Sequence, residues 1–232
     1  MIITFISDTH NKHKEITQDL PGGDLLIHAG DLSSMGYKHE IEGFCKWFDS
    51  LDQYDFKVFI AGNHDWGFQR DLPMCTELVN SYKWIDYLQD SSVQVGKDTD
   101  NLIKIYGTPW QPEFYNWAFN LPRNGVELQQ KWDQIPDDTD ILVTHGPAWG
   151  ILDDVEYRRG MHLGCELLTQ RIQKVKPKIH VCGHIHTGRG IYEKDGTLYI
   201  NAAVLNEQYH YAHKPITIDY DFETKEYEIL KF

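Results

Sequence analysis

The sequence predicts an α/β fold in which helices cover the sheet faces and the final strands are antiparallel. Three observations carry this. Short apolar runs recur along the chain, stretches with helical spacing separate several of them, and beyond Gly188 the pattern changes to hairpins.

Residues 2–6 form the first apolar run, and others occupy 25–28, 57–60, 102–106, 141–143 and 178–182, each followed by a polar cluster. Runs of this kind read as strands buried on both faces. Helical spacing occurs in 40–51, 75–82, 125–134 and 163–175. Residues 190–193 and 198–200 flank Lys194-Asp195-Gly196, and 216–220 and 227–231 flank residues 222–225, so both pairs read as hairpins. No Pro/Gly/Ser-rich linker, repeat or low-complexity segment interrupts the chain, and residues 1–232 are expected to form one domain.

The composition narrows the function. A net charge of -13, from 22 basic and 35 acidic side chains, disfavours extended nucleic acid and anionic membrane surfaces as partners. Cys45, Cys75, Cys165 and Cys182 are far apart and form no Cys-x-x-Cys pair, so a reduced, cytoplasmic location is expected. The opening run is too short for a signal peptide, and no stretch is long and apolar enough to span a membrane.

The twelve histidines matter through their placement. Strand-like runs end in Asp8-Thr9-His10, Gly30-Asp31, Gly62-Asn63-His64-Asp65, Thr144-His145-Gly146 and Gly183-His184-Ile185-His186. In α/β sheets, ligands bind at the carboxyl ends of strands, where these residues would converge. Imidazole and carboxylate together suit Mn²⁺, Fe²⁺ or Zn²⁺, and Asp31 is placed to bridge two ions. The glycines at 30, 62 and 183 are expected to let the backbone turn sharply before each ligand. Any one of these pieces alone is ordinarily a turn or a satisfied polar group; five in order, each in strand context, point to a metal centre.

These blocks resemble the calcineurin-like metallophosphoesterase superfamily, whose pattern is Asp-x-His, Gly-Asp, Gly-Asn-His-Asp/Glu, His and Gly-His-x-His. A narrower resemblance, to the MPPED subfamily, covers nearly the whole chain. It rests on Gly107-Thr108-Pro109-Trp110-Gln111-Pro112, the Asn116 to Asn120 segment, His145-Gly146-Pro147, Gly150-Ile151-Leu152-Asp153, Gly164-Cys165 and Ile200-Asn201-Ala202-Ala203. The resemblance implies a four-layer α/β/β/α sandwich with mixed sheets. It also implies two divalent metal ions, Mn²⁺ first and Fe²⁺, Zn²⁺ or Mg²⁺ as alternatives. One ion would take Asp8, His10, Asp31 and His186, and the other Asp31, Asn63, His145 and His184. The implied substrate is a small phosphodiester such as a 2′,3′-cyclic nucleotide. The Gly-Asp-x-x-Asp-Arg-Gly signature of phosphoprotein phosphatases is replaced by Gly30-Asp31-Leu32-Ser33-Ser34-Met35-Gly36, which argues against a protein phosphatase.

Two ions about 3.5–4 Å apart would generate hydroxide from a shared water, with Asp31 setting their spacing. His64, beside Asn63, is expected to act as general acid, the alternative being a histidine packed against the metal shell. His13 is expected to face the substrate or to be a solvated loop residue. Arg158, Arg159 and Arg189 are candidates for a phosphate clamp, with surface ion pairs as the alternative. Trp66, Trp110, Phe114, Tyr115 and Trp117 are candidates to stack a base, with packing favoured for Trp117 and Phe119. Asp65 is expected to orient a histidine or to cap the following segment. Two other readings are a nuclease of the same superfamily and a non-catalytic scaffold on the same fold. The acidic balance opposes the first, and the complete ligand set opposes the second.

Overall fold

The computed structural model describes residues 1–96, 102–155, 160–224 and 226–232. The first sheet contains β1 (Ile2–Ile6), β2 (Gly23–Ala29), β3 (Tyr54–Ile60) and β4 (Asp86–Tyr87), all parallel. The second contains β5 (Ser91–Val95), β6 (Ile103–Thr108), β9 (Ile141–Thr144), β10 (Ile179–Cys182), β11 (Gly190–Lys194) and β12 (Thr197–Asn201). Its central strands β6, β9, β10 and β12 are parallel, with β5 and β11 antiparallel at the edges. The last strands, β13 (Ile216–Tyr220) and β14 (Tyr227–Lys231), return to the first sheet, where β13 lies antiparallel to β1. A two-strand ribbon of β7 (Gln111–Pro112) and β8 (Asn120–Leu121) stands apart.

Side-chain alternation explains the layering. Ile3 and Phe5 of β1, Leu25 and Ile27 of β2, and Val58 and Ile60 of β3 pack against Ile141 and Val143 of β9 and Ile179 and Val181 of β10. The two sheets therefore meet face to face around one apolar layer. Leu26 and Phe59 point the other way, onto α1 (Lys38–Asp49), α2 (Trp66–Arg70) and α3 (Leu72–Asn80). Leu142 and Tyr199 likewise cover α4 (Val126–Asp133) and α5 (Glu166–Val175). The result is the expected α/β/β/α sandwich with mixed sheets. Each central strand is buried on both sides, which is why the runs in sequence are continuously apolar.

Helix starts differ from the periodicity. The third helix begins at Leu72 rather than 75, because Pro73 fits the first turn and the Asp71 carboxylate accepts from the Met74 N–H at 3.2 Å. The last begins at Glu166 rather than 163, because the Gly164 N–H is drawn instead to Asp153 at 2.9 Å. Among the described residues, no helix is long and apolar enough to cross a membrane.

Candidate metal centre

The loops leaving β1, β2, β3, β9 and β10 meet at the carboxyl edge of the two sheets and carry the sequence-derived ligands. Local backbone strain is concentrated there. Asp8, His10, Asn11, Asp31 and His184 all have positive φ, between 38° and 67°. Such conformations are costly for residues with a side chain and persist where surrounding structure enforces them. The glycines serve in two ways. Gly30 has φ of 97° and makes the expected turn. Gly62 and Gly183 do not have positive φ; they leave room, since a methyl on Gly183 would lie 2.1 Å from Asp8 Oδ2 and one on Gly62 2.3 Å from Asp31 Oδ1.

The candidate ligands form two groups on either side of Asp31, which with His10 and His64 makes a third. His186 Nε2 lies 3.3 Å from Asp8 Oδ1, and His10 Nε2 lies 4.0 Å from Asp8 Oδ1 and 3.6 Å from Asp31 Oδ2. Across Asp31, His145 Nε2 is 3.3 Å from Oδ2 and 3.0 Å from Asn63 Oδ1. Asp8, His10 and His186 each offer an atom within 4.8 Å of the others, as do Asp31, His145 and His184. Outward hydrogen bonds orient the rings. His145 Nδ1–H donates to Ala29 O at 2.9 Å and His186 Nδ1–H to Asn206 O at 2.9 Å, so each aims Nε2 inward.

The electrostatics fit a cation. Burial opposes charge on His145, yet Asp31 raises it to about 9; burial likewise opposes charge on His186, yet the bonded Asp8 raises it to about 9. Burial would also raise both carboxyls, but His186 holds Asp8, and His145 holds Asp31, well below the usual carboxylate range. His145 Nε2 thus faces Asp31 Oδ2 and Asn63 Oδ1, and His186 Nε2 faces Asp8 Oδ1, atoms that could share a metal ion. His10 and His184 are pushed down by burial, to about 4 and about 3, and remain neutral. Both ring nitrogens of His10 are buried without a hydrogen-bond partner, a costly arrangement that a coordinated ion would relieve at Nε2, the nitrogen facing Asp8 and Asp31.

His64 borders this cluster. Its backbone N–H donates to Asp31 Oδ1 at 2.8 Å and its Nδ1 lies 2.8 Å from Ser34 O, leaving Nε2 facing the cleft, 4.0 Å from Asp31 Oδ2. The Trp117 indole stacks on His64 at 4.1 Å, so this tryptophan belongs to the site rather than to the core alone. Tyr209, which the sequence did not single out, sets its ring edge-on to His10 at 4.8 Å and to His186 at 5.5 Å. Asp65 stands at the N-cap position of α2, as expected, but its side chain makes no capping bond there and bonds no histidine. It accepts from the N–H groups of Leu32, Ser33 and Gly62 and so joins two ligand loops; burial, aided by the Asp31 charge, raises it to about 7.

The rim differs from expectation. His13 is buried between Trp47, at 4.9 Å, and Phe44, at 5.8 Å, because the chain after Asn11 folds back beneath α1. It therefore faces the core and not the substrate. Trp110 is likewise held away from the cleft: its Nε1 donates to Asp90, its ring meets Phe119, and Lys131 covers its face. Trp66 lies under Arg70, whereas Phe114 does line the cleft beside His184. Arg189 lines an adjoining cavity, where it donates to Lys214 O and packs on Phe232. Arg158 and Arg159 lie outside the described residues. The histidine and carboxylate cluster opens into a cleft of about 190 Å³, and the adjoining cavity, about 570 Å³, shares Val155, His186, Thr187 and Glu207 with it.

Two helix-flanked sheets carry this histidine and carboxylate cluster at their carboxyl edge, and comparison with known proteins shows a metal-dependent phosphoesterase. The family described as Calcineurin-like phosphoesterase matches residues 1–188, and the chain belongs to that family. It is 40% identical over 235 residues to human Metallophosphoesterase domain-containing protein 1, covering 92% of this chain and 69% of that one. A Caenorhabditis elegans UPF0046 protein is 36% identical over 236 residues, covering 92% and 58%. Among solved structures, TT1561 of Thermus thermophilus matches with a TM-score of 0.64 at 13% identity, over 99% of this chain and 98% of that one. Phosphopantetheinyl Hydrolase from Mycobacterium tuberculosis matches with 0.57 at 18%, over 89% and 90%, a likeness of fold.

Proposed function

We propose that residues 1–232 form one catalytic unit that hydrolyses a small phosphodiester, such as a 2′,3′-cyclic nucleotide, at a two-metal centre. Asp8, His10, Asp31 and His186 hold one ion, and Asp31, Asn63, His145 and His184 the other. The observation that carries this reading is the position of Asp31 Oδ2, 3.6 Å from His10 Nε2 and 3.3 Å from His145 Nε2, between the two groups. Two bound divalent ions would supply a nucleophile at neutral pH and neutralise phosphoryl charge.

The chain's own residues do the rest. Asp31 fixes the spacing of the two groups. His64, anchored through Nδ1 to Ser34 O and stacked on Trp117, presents Nε2 to the cleft and protonates the leaving oxygen. The leaving group extends past His186 and Thr187 into the larger cavity, whose volume of about 570 Å³ suits a nucleoside-sized body. Mn²⁺ is the proposed metal, since the donors are imidazoles, carboxylates and one amide without thiolate. A cytoplasmic location accords with four buried, unpaired cysteines.

A matrix of Mn²⁺, Fe²⁺, Zn²⁺ and Mg²⁺ against 2′,3′- and 3′,5′-cyclic nucleotides, mononucleotides, aryl phosphates and single-stranded oligonucleotides tests the proposal. The expected outcome is highest kcat/KM for a 2′,3′-cyclic nucleotide with Mn²⁺. Faster cleavage of the oligonucleotide would replace it with a nuclease reading, and inactivity across the matrix with a scaffold.

A further inference from the structure

Two buried histidines outside the ligand set occupy matching places in the two sheets. His28, in β2, lies on the outer face of the first sheet against Phe44, at 5.0 Å. His180, in β10, lies on the outer face of the second against Tyr199, at 5.6 Å. Both are almost wholly buried, at 0% and 1% exposure, where a polar ring without a purpose is costly.

Hydrogen bonds fix the form of each ring. The Gly30 N–H donates to His28 Nδ1 at 3.2 Å, so the proton sits on Nε2 and is donated to Thr9 Oγ1 at 2.9 Å. Thr144 Oγ1–H donates to Gly146 O at 2.7 Å, so this oxygen accepts from His180 Nε2–H at 2.8 Å. Thr9 stands between Asp8 and His10, and Thr144 directly precedes His145. Each histidine therefore grips, through a threonine, the backbone of a loop that presents one group of ligands.

We propose that His28 and His180 are positioning residues with divided duties: the His28–Thr9 bond secures the ion held by Asp8, His10 and His186, and the His180–Thr144 bond secures the ion held by Asn63, His145 and His184. The proposal rests on the two-ion reading above. Its physical basis is strain. Asp8 and His10, on either side of Thr9, have φ of 56° and 38°, so the intervening residue needs an external anchor to hold them there. On the other side, His145 is aimed by its own bond to Ala29 O, and the Thr144 clamp fixes the backbone from which that ring projects.

Mn²⁺ titration of the full chain by calorimetry and electron paramagnetic resonance tests this without reference to activity. His10→Ala and His184→Ala should each reduce the stoichiometry from two ions to one; if the unmodified chain binds fewer than two, the two-ion reading fails and not the clamp. Thr9→Val, which removes only the bond to His28 while keeping the side-chain shape, is then placed in both backgrounds. It should weaken the remaining ion about 10–100-fold in His184→Ala and leave it unchanged in His10→Ala. Thr144→Val should do the reverse, and serine at either position should restore affinity. Equal weakening of both ions, or no change in either, would overturn the division of duties.

Discussion

Gly183→Ala isolates the steric demand of the metal centre. The added methyl would lie 2.1 Å from both Asp8 Oδ2 and Ser7 Oγ, and 2.7 Å from Ser7 Cβ. Asp8 cannot simply rotate away, because its two oxygens each accept from the His184 N–H at 3.1 Å and Oδ1 also faces His186. Relief requires a shift of about 1 Å in the Asp8 carboxylate or in the loop bearing His184. Overpacking of this kind costs about 1–3 kcal/mol of stability. Misplacement by 1 Å at a reacting centre costs on the order of 100-fold in rate. The expected outcome is a loss of about 100-fold in kcat/KM on bis-p-nitrophenyl phosphate with Mn²⁺, together with weakened binding of one ion. Thermal unfolding of the metal-free chain should fall by about 2–12 °C. Activity within about twofold of the parent, with two ions bound at parental affinity, would refute the close-approach argument.

Further outcomes follow from other residues. Gly43→Ala lies inside α1 with no atom within 4 Å of the new methyl, so the chain should gain about 0.5–1 kcal/mol in urea unfolding. His64→Ala should retain metal content and lose about 10²–10⁴-fold in kcat on substrates with poor leaving groups, with a smaller loss on p-nitrophenyl esters; equal losses on both would exclude the acid role. Burial lowers His180 from 6.5 to about 3, so below pH 6.5 the unfolded chain takes up a proton that the folded one does not. Stability is then lost as pH falls, by about 1.4 kcal/mol per unit from this residue. His180→Gln, which keeps a donor for Thr144, should flatten the pH dependence of urea unfolding between pH 6 and 4.5 by about that slope; parallel curves would contradict it.

The central strands were legible because burial on both faces leaves a continuous apolar run, as in β1 and β9. Edge strands lack that signal. Ser91–Val95 is mostly exposed, so its polar residues hide a strand that pairs antiparallel with β6. The second hairpin was legible as a hairpin, but not its return to the first sheet, where Ile2 pairs with Asp219 from the far end of the chain. That pairing depends on long-range geometry, which local periodicity does not encode.

The site divides along a similar line. Asp8, His10, Asp31, Asn63, His145, His184 and His186 stand out in sequence because each carries donor atoms of its own at a strand end, and the structure brings all seven together. An aromatic side chain, by contrast, acts through whatever it lies against. Trp110 and Trp117 sit seven residues apart, on either side of β7, and look alike in sequence. Trp110 is drawn inward because Asp90 accepts its N–H and Phe119 meets its ring, whereas Trp117 stacks on His64. The same holds for histidines: His13 is sequestered by Trp47, while His28 and His180 reach the ligand loops through threonines. Burial alone therefore does not separate a packed histidine from one that holds a site. The discriminating feature is the Nε2 proton, which His28 and His180 each donate to the threonine beside a candidate ligand; an unpartnered Nδ1 is common to His13 and His180 and separates nothing.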